Sequence, residues 1–220
     1  MRLFLPLILS LFSNLLGAKT LIITDSHGEG AFGAELVNQL ESIKKNVSIY
    51  AVGGSTPADW NLGQNQIWGY WEYHTDSGGF RSSKPKTPLL KNLLEKHQPD
   101  QVIIELGTNL IWRELNSQIT ADVIKLVQSI EKAKTQCFWI GPPDLRPNSV
   151  ERESREAEIH QLLETEIPRY SCRLIRSWEM TEYPKDGGDG IHYDQIPDLG
   201  INLAKAWAQK VMLEIENNSL

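Results

Sequence analysis

Short, compact apolar runs alternate along the chain with segments whose apolar residues recur at helical spacing. Residues 20–24, 47–52, 101–106, 136–140 and 172–175 are the compact runs, with the character of strands covered on both faces of a sheet. Between them, Phe32, Leu36, Leu40 and Ile43 fall on one helical face, and Leu89, Leu90, Leu93 and Leu94 on another. Ile119, Val123, Ile124, Val127 and Ile130 make a third. The charged stretch 150–166 predicts a largely solvated fourth helix, and Leu199, Leu203, Trp207, Val211 and Ile215 predict a last one. Strands alternating with helices predict repeated βα units around a mostly parallel sheet, hence an α/β fold.

Residues 55–88 break the short-connection pattern. The stretch is rich in Gly, Ser and Pro, yet it carries Trp60, Trp68, Tyr70, Trp71, Tyr73 and Phe80. That is too aromatic for disorder and too long for a plain connection, so it predicts a functional loop.

At the amino terminus, Met1-Arg2 precedes an apolar run over 3–16 and then Gly17-Ala18. A positive start, an apolar centre and a small residue before a cut after Ala18 fit an export signal, and the run is too short for a comfortable membrane span. The expectation is a signal peptide over 1–18 and one domain over 19–220, periplasmic or secreted, with no stable membrane insertion once cleaved. A length of 220 residues suits a single domain. The net charge of −6, with lysines and arginines scattered, offers no basic surface for nucleic acid. Cys137 and Cys172 are the two cysteines, each in a strand-like run. They would close one disulfide if those strands are neighbours, or else pack as two buried thiols.

Four fragments carry candidate chemistry. In Ile23-Thr24-Asp25-Ser26-His27-Gly28 an apolar strand runs into a serine before a helix, where a hydroxyl is exposed and a backbone N–H favours negative charge. An ordinary helix cap explains that fragment equally well. Val52-Gly53-Gly54-Ser55 allows a close backbone approach to a bound group, or is simply a turn. Glu105-Leu106-Gly107-Thr108-Asn109 ends the most apolar strand with a neutral amide able to donate to an oxyanion, or to start a turn. In Asp186-Gly187-Gly188-Asp189-Gly190-Ile191-His192, a carboxylate three residues before a histidine can hold one ring nitrogen while the other faces a nucleophile.

In this order the four fragments resemble the motif blocks of the SGNH, or GDSL-like, hydrolases, and the likeness spans residues 20–216. It implies a three-layer α/β/α, flavodoxin-like sandwich around a five-stranded parallel sheet. It also implies Ser26 as nucleophile, His192 as base, Asp189 as its orienting partner, and an oxyanion hole made by Ser26, Gly54 and Asn109, with Gly53 the alternative to Gly54. The first block reads Thr-Asp-Ser-His where the family usually has Gly-Asp-Ser-Leu, and Leu110 stands where an aspartate often follows the asparagine. Neither departure removes a catalytic group. No metal or cofactor is required by this chemistry, and the glycine-rich stretches lack the phosphate-loop lysine or dinucleotide spacing that nucleotide or flavin binding would need.

The fold hosts esterases, thioesterases and lipases alike. Export and the aromatic 55–88 segment favour small acyl groups, O-acetyl above all, on a cell-wall or other extracellular carbohydrate, with His27, Trp60, Trp68 and Trp71 as candidate substrate contacts. The same rings would serve equally as the segment's private core. A lipid esterase, lysophospholipase or thioesterase, and a carbohydrate-binding module on an inactive scaffold, are the alternatives.

Overall fold

The computed structural model describes residues 18–43, 45–64, 68–83, 86–146 and 149–218. The expected leader therefore lies outside the described residues, except for Ala18. Seven strands form one sheet: β1 (Lys19–Thr24), β2 (Asn46–Val52), β3 (Tyr70–His74), β4 (Gly78–Ser82), β5 (Gln101–Glu105), β6 (Gln136–Ile140) and β7 (Cys172–Ile175), in the order β4-β3-β2-β1-β5-β6-β7. The helices are α1 (Ala31–Ser42), α2 (Pro57–Leu62), α3 (Leu90–His97), α4 (Ser117–Ala133), α5 (Val150–Glu166) and α6 (Gly200–Asn217).

Alternation along each buried strand divides the core in two. Leu21, Ile23, Val102, Ile104 and Trp139 pack with residues of α2, α3, α4 and α5. Ile22, Ile49, Ile103 and Phe138 pack with α1 and α6. Because helices cover both faces, successive positions in the middle of such a strand are apolar, which is why the runs read as continuous rather than alternating.

The five expected strands pair in parallel, β2-β1-β5-β6-β7. The sheet as a whole is nonetheless seven-stranded and mixed, a correction to the five-stranded, all-parallel expectation. The two extra strands come from within 55–88: β3 pairs antiparallel with β2, Ala51 opposite Trp71, and β4 pairs antiparallel with β3. Tyr-Trp-Glu-Tyr-His sends Trp71 and Tyr73 to one face and Glu72 and His74 to the other, the period-two pattern of a strand, and Gly78, with φ +74°, closes the short turn back into β4. The rest of the segment is also ordered in part. Thr56 and Asp59 form a capping box at the start of α2, with a proline in its first turn.

The crossover carrying α1 packs on one face, and α2 and α3, which lead from β2 past β1 to β5, pack on the other. Connections that leave the carboxyl ends of neighbouring strands for opposite faces open a crevice there, and the motif residues stand around it.

Cys137 and Cys172 face each other in register on β6 and β7 and form a disulfide across a sequence separation of 35. Both lie at the amino-terminal ends of their strands, away from the crevice. Closing a loop of that length contributes ~3–4 kcal/mol in the chain-entropy account. Urea unfolding of a Cys137→Ser/Cys172→Ser variant should show a loss of that order, while the folded variant keeps its activity. An unchanged midpoint would mean that the bridge adds nothing to stability.

Candidate active site

Ser26 follows β1 directly and opens a 3₁₀ turn, Ser26–Glu29, capped by Asp25, whose carboxylate accepts the His27 N–H at 3.1 Å. Its hydroxyl lies 2.8 Å from His192 Nε2. The other ring nitrogen, Nδ1, is 2.6 Å from Asp189 Oδ2. A carboxylate only accepts, so Nδ1 carries the hydrogen and Nε2 presents its lone pair to Ser26. Asp189 Oδ1 accepts the backbone N–H groups of Ile191 and His192, each at 2.8 Å. Burial alone would raise Asp189, but the hydrogen bonds from the His192 ring and from these two N–H groups hold it below the usual carboxylate range.

The segment carrying Asp189 is pinned from outside. Arg146 donates to the carbonyls of Gly187 at 2.7 Å and Gly188 at 3.3 Å, and its own N–H goes to Gly190 O. Tyr183 OH accepts the Gly190 N–H at 3.0 Å and donates to His192 O at 3.3 Å. Neither residue was singled out from the sequence, since their partners are backbone atoms of a distant glycine-rich turn.

The oxyanion candidates gather at the same point. Neither the Ser26 nor the Gly54 N–H is engaged by another backbone group among the described residues, whereas the Gly53 N–H donates to Gly69 O at 2.9 Å. Gly54 rather than Gly53 is therefore the glycine with a free donor. Gly54 adopts φ +75°, and a Cβ there would come within 2.5 Å of Trp68 Cδ1, so only glycine fits. Asn109 Nδ2 donates to Asp25 Oδ2 at 3.2 Å and to the Ser55 carbonyl at 3.1 Å.

Beneath Ser26, Asp25 and Glu105 lie close together, a juxtaposition that their positions in the sequence did not signal. Asp25 and Glu105 are fully buried, and burial pushes both carboxyls upward, Glu105 furthest, through the proximity of Asp25. Neither carboxyl oxygen of Glu105 has a hydrogen-bond partner among the described residues. His27 completes the group: donor atoms of Asp25, His27 and Glu105 lie within 4.8 Å of one another, the one set among the described residues with spacing a metal ion could use.

The substrate-contact candidates separate. Trp68, 62% exposed, lines a cleft of ≈ 590 Å³ together with Ser26, Gly54, Asn109 and His192. Trp60 does not reach it. It is fully buried on α2, packs in the core and donates to Ser55 Oγ at 3.1 Å. Trp71 is half-buried on β3 against the α1 side, with Arg81 5.2 Å over its ring. His27 is buried too, its ring 5.3 Å from the rings of both His192 and Trp207, and it packs behind the site instead of lining it. Trp112, three residues past Asn109 and 49% exposed, lines the cleft without having been anticipated.

No protein-family model and no curated protein matches the sequence. Solved structures do match the fold. TesA is 16% identical, with a TM-score of 0.65 over 90% of this chain and 98% of that one. The acetyl xylan esterase AlAXEase is 13% identical, with a TM-score of 0.60 over 90% and 99%. A family 3 carbohydrate esterase from Clostridium thermocellum is 15% identical, with a TM-score of 0.57 over 90% and 96%. At such identities the likeness is one of fold, and it agrees with the fold that the motif resemblance implies.

The buried His27 carries a pH dependence. Burial, followed by the neighbouring His192, lowers it from 6.5 to about 3, and its Nε2 has no hydrogen-bond partner among the described residues. Between these values the unfolded chain binds the proton and the folded one does not, so this group removes stability as pH falls through that window. In thermal melts from pH 7 to pH 4, wild type should lose more Tm than His27→Leu, whose side chain cannot titrate. Equal losses would mean that His27 is protonated in the fold.

Proposed function

We propose that the chain is an exported serine esterase that removes small acyl groups, acetyl above all, from an extracellular carbohydrate. The observation that carries this reading is the continuous line Asp189–His192–Ser26 beside two free backbone N–H groups. A nucleophile, a base with its tautomer set, and donors for a developing oxyanion are the parts that acyl transfer needs.

In this mechanism His192 Nε2 takes the Ser26 proton as Oγ attacks the ester carbonyl. The carbonyl oxygen, now negative, receives the Ser26 and Gly54 N–H groups and one hydrogen of the Asn109 amide. Asn109 keeps its bond to the Asp25 carboxylate and exchanges the one to the neutral Ser55 carbonyl, the weaker of its two acceptors. The imidazolium, steadied by Asp189, then protonates the departing alcohol oxygen and leaves an acyl group on Ser26. Water, deprotonated by the same His192, attacks that acyl group; collapse returns the proton to Ser26 and frees the acid.

The cleft supports a small acyl group. Besides Trp68 and Trp112, its lining around Ser26 is mainly glycine, carboxylate and amide, with Ile191 the one aliphatic side chain among the described residues, and a long acyl chain would need a broader aliphatic surface to bury against. The carbohydrate part rests on the exposed Trp68 and on the two fold neighbours named as a xylan esterase and a carbohydrate esterase. Export rests on the 1–18 pattern, and a disulfide suits an oxidising compartment. Among the described residues no helix is long and apolar enough to cross a membrane.

Nitrophenyl esters of increasing acyl length and O-acetylated glycans, each followed with wild type and Ser26→Ala, test the reading. Expected are acetate release that vanishes in the variant and rates that fall steeply beyond short acyl chains. Asn109→Ala should lower kcat by about 100- to 1000-fold with KM little changed. A maximum on long chains would replace the acetyl reading with a lipid one, and turnover that survives in Ser26→Ala would overturn the serine mechanism.

A further inference from the structure

We propose that the cleft seats an oligosaccharide chain on both sides of the ester, with Trp68 and Trp112 as two indole platforms and the acylated sugar between them over Ser26. This rests on the carbohydrate reading above and deepens it: the substrate is an internally acylated, neutral chain, not an isolated acylated sugar.

The strand order sets the two platforms apart. β1, which delivers Ser26, lies between β2, which leads into Gly54, and β5, which leads into Asn109. Trp68 lies against the Gly53–Gly54 turn on the β2 side, close enough that a Cβ on either glycine would collide with it. Trp112 follows Asn109 on the β5 side. The two indoles thus belong to the two loops that flank the nucleophile, and both line the cleft that contains it.

The Trp112 platform is braced from behind. The Arg152 guanidinium, from a side chain only 6% exposed, sits 4.6 Å from the centre of the Trp112 ring and covers one face of it. Arg152 also reaches Gly190 O at 3.5 Å, which links the platform to the segment carrying Asp189. A cation over one face holds the indole in place and leaves the other face to solvent. Two large aromatic surfaces left wet beside a polar, glycine-rich floor form the amphipathic surface that a sugar ring fits, with its C–H face on the indole and its hydroxyls on the polar edge.

The charge of the cleft narrows the class further. Glu29 and Asp194 line it, and among the described residues no lysine or arginine does. Asp194 is occupied in accepting the Ala31 N–H at the start of α1, and Glu29 is half-buried beside Gly53 and Gly69. Carboxylates accept from hydroxyls and repel uronates, so the fitting chain is neutral.

The experiment compares kcat and KM on acetylated xylose, acetylated xylo-oligosaccharides of two to six residues, an acetylated oligogalacturonide and 4-nitrophenyl acetate. Wild type, Trp68→Ala, Trp112→Ala and Trp112→Phe are each assayed after their folding is checked by circular dichroism. Expected is a rise in kcat/KM of about tenfold or more from one sugar to four, carried by KM. Each alanine variant should lose that rise, with a loss in kcat/KM at least about fivefold larger on the tetrasaccharide than on 4-nitrophenyl acetate, and Trp112→Phe should recover part of it. The oligogalacturonide should be at least about tenfold poorer than the neutral chain. Acetate release that is independent of chain length, or a Trp112→Ala loss as large on 4-nitrophenyl acetate as on the tetrasaccharide, would overturn the platforms while leaving the esterase standing. Turnover of 4-nitrophenyl acetate with none of any acetylated sugar would overturn the carbohydrate reading itself, and the platforms with it.

Discussion

A single hydrogen bond, His192 Nε2 to Ser26 Oγ at 2.8 Å, joins residues 166 positions apart, and much of the fold serves to hold it. The serine end is fixed by β1, the central strand of the seven-stranded sheet, whose Leu21, Ile22 and Ile23 are completely buried. The histidine end lies in an irregular segment, which would be loose without the backbone contacts made by Arg146 and Tyr183 and the two N–H groups drawn onto Asp189. Together these contacts fix the position of the His192 ring against Ser26.

Below that bond the protein accepts an unfavourable arrangement. Two fully buried acids, Asp25 and Glu105, and a buried histidine with an unpartnered nitrogen each cost free energy of the order of kcal/mol unless they are paired. What the arrangement secures is orientation: Asp25 holds the His27 backbone on one oxygen and the Asn109 amide on the other, and so ties the nucleophile turn to an oxyanion donor on the neighbouring strand's loop. A polar network inside an apolar core has few alternative arrangements, which makes it a stiff support.

The parallel core was legible in the sequence because burial on both faces makes each strand a continuous apolar run, and the helical faces declared themselves through their spacing. The four motif fragments were legible because each follows a strand or precedes the last helix, and the structure brings Ser26, Gly54, Asn109, Asp189 and His192 to one crevice. Less visible was the hairpin of β3 and β4. Its alternation was present in Tyr70 to His74, but the surrounding glycines and serines looked like loop, and pairing with β2 is a non-local choice. Composition also failed to sort the tryptophans. Trp60 is buried because a capping box starts a helix around it, and Trp68 is exposed because it lies over a glycine turn; both facts depend on neighbours in space. The disulfide needed the register of β6 against β7, which spacing alone does not supply.

The central claim is that His192 makes Ser26 nucleophilic, and covalent labelling tests it without any knowledge of the natural ester. Treating the protein with a fluorophosphonate and mapping the adduct by peptide mass spectrometry should give one label per chain, on Ser26, and labelling should become very slow in His192→Ala. A label on another residue, or equal labelling of wild type and His192→Ala, would contradict the account.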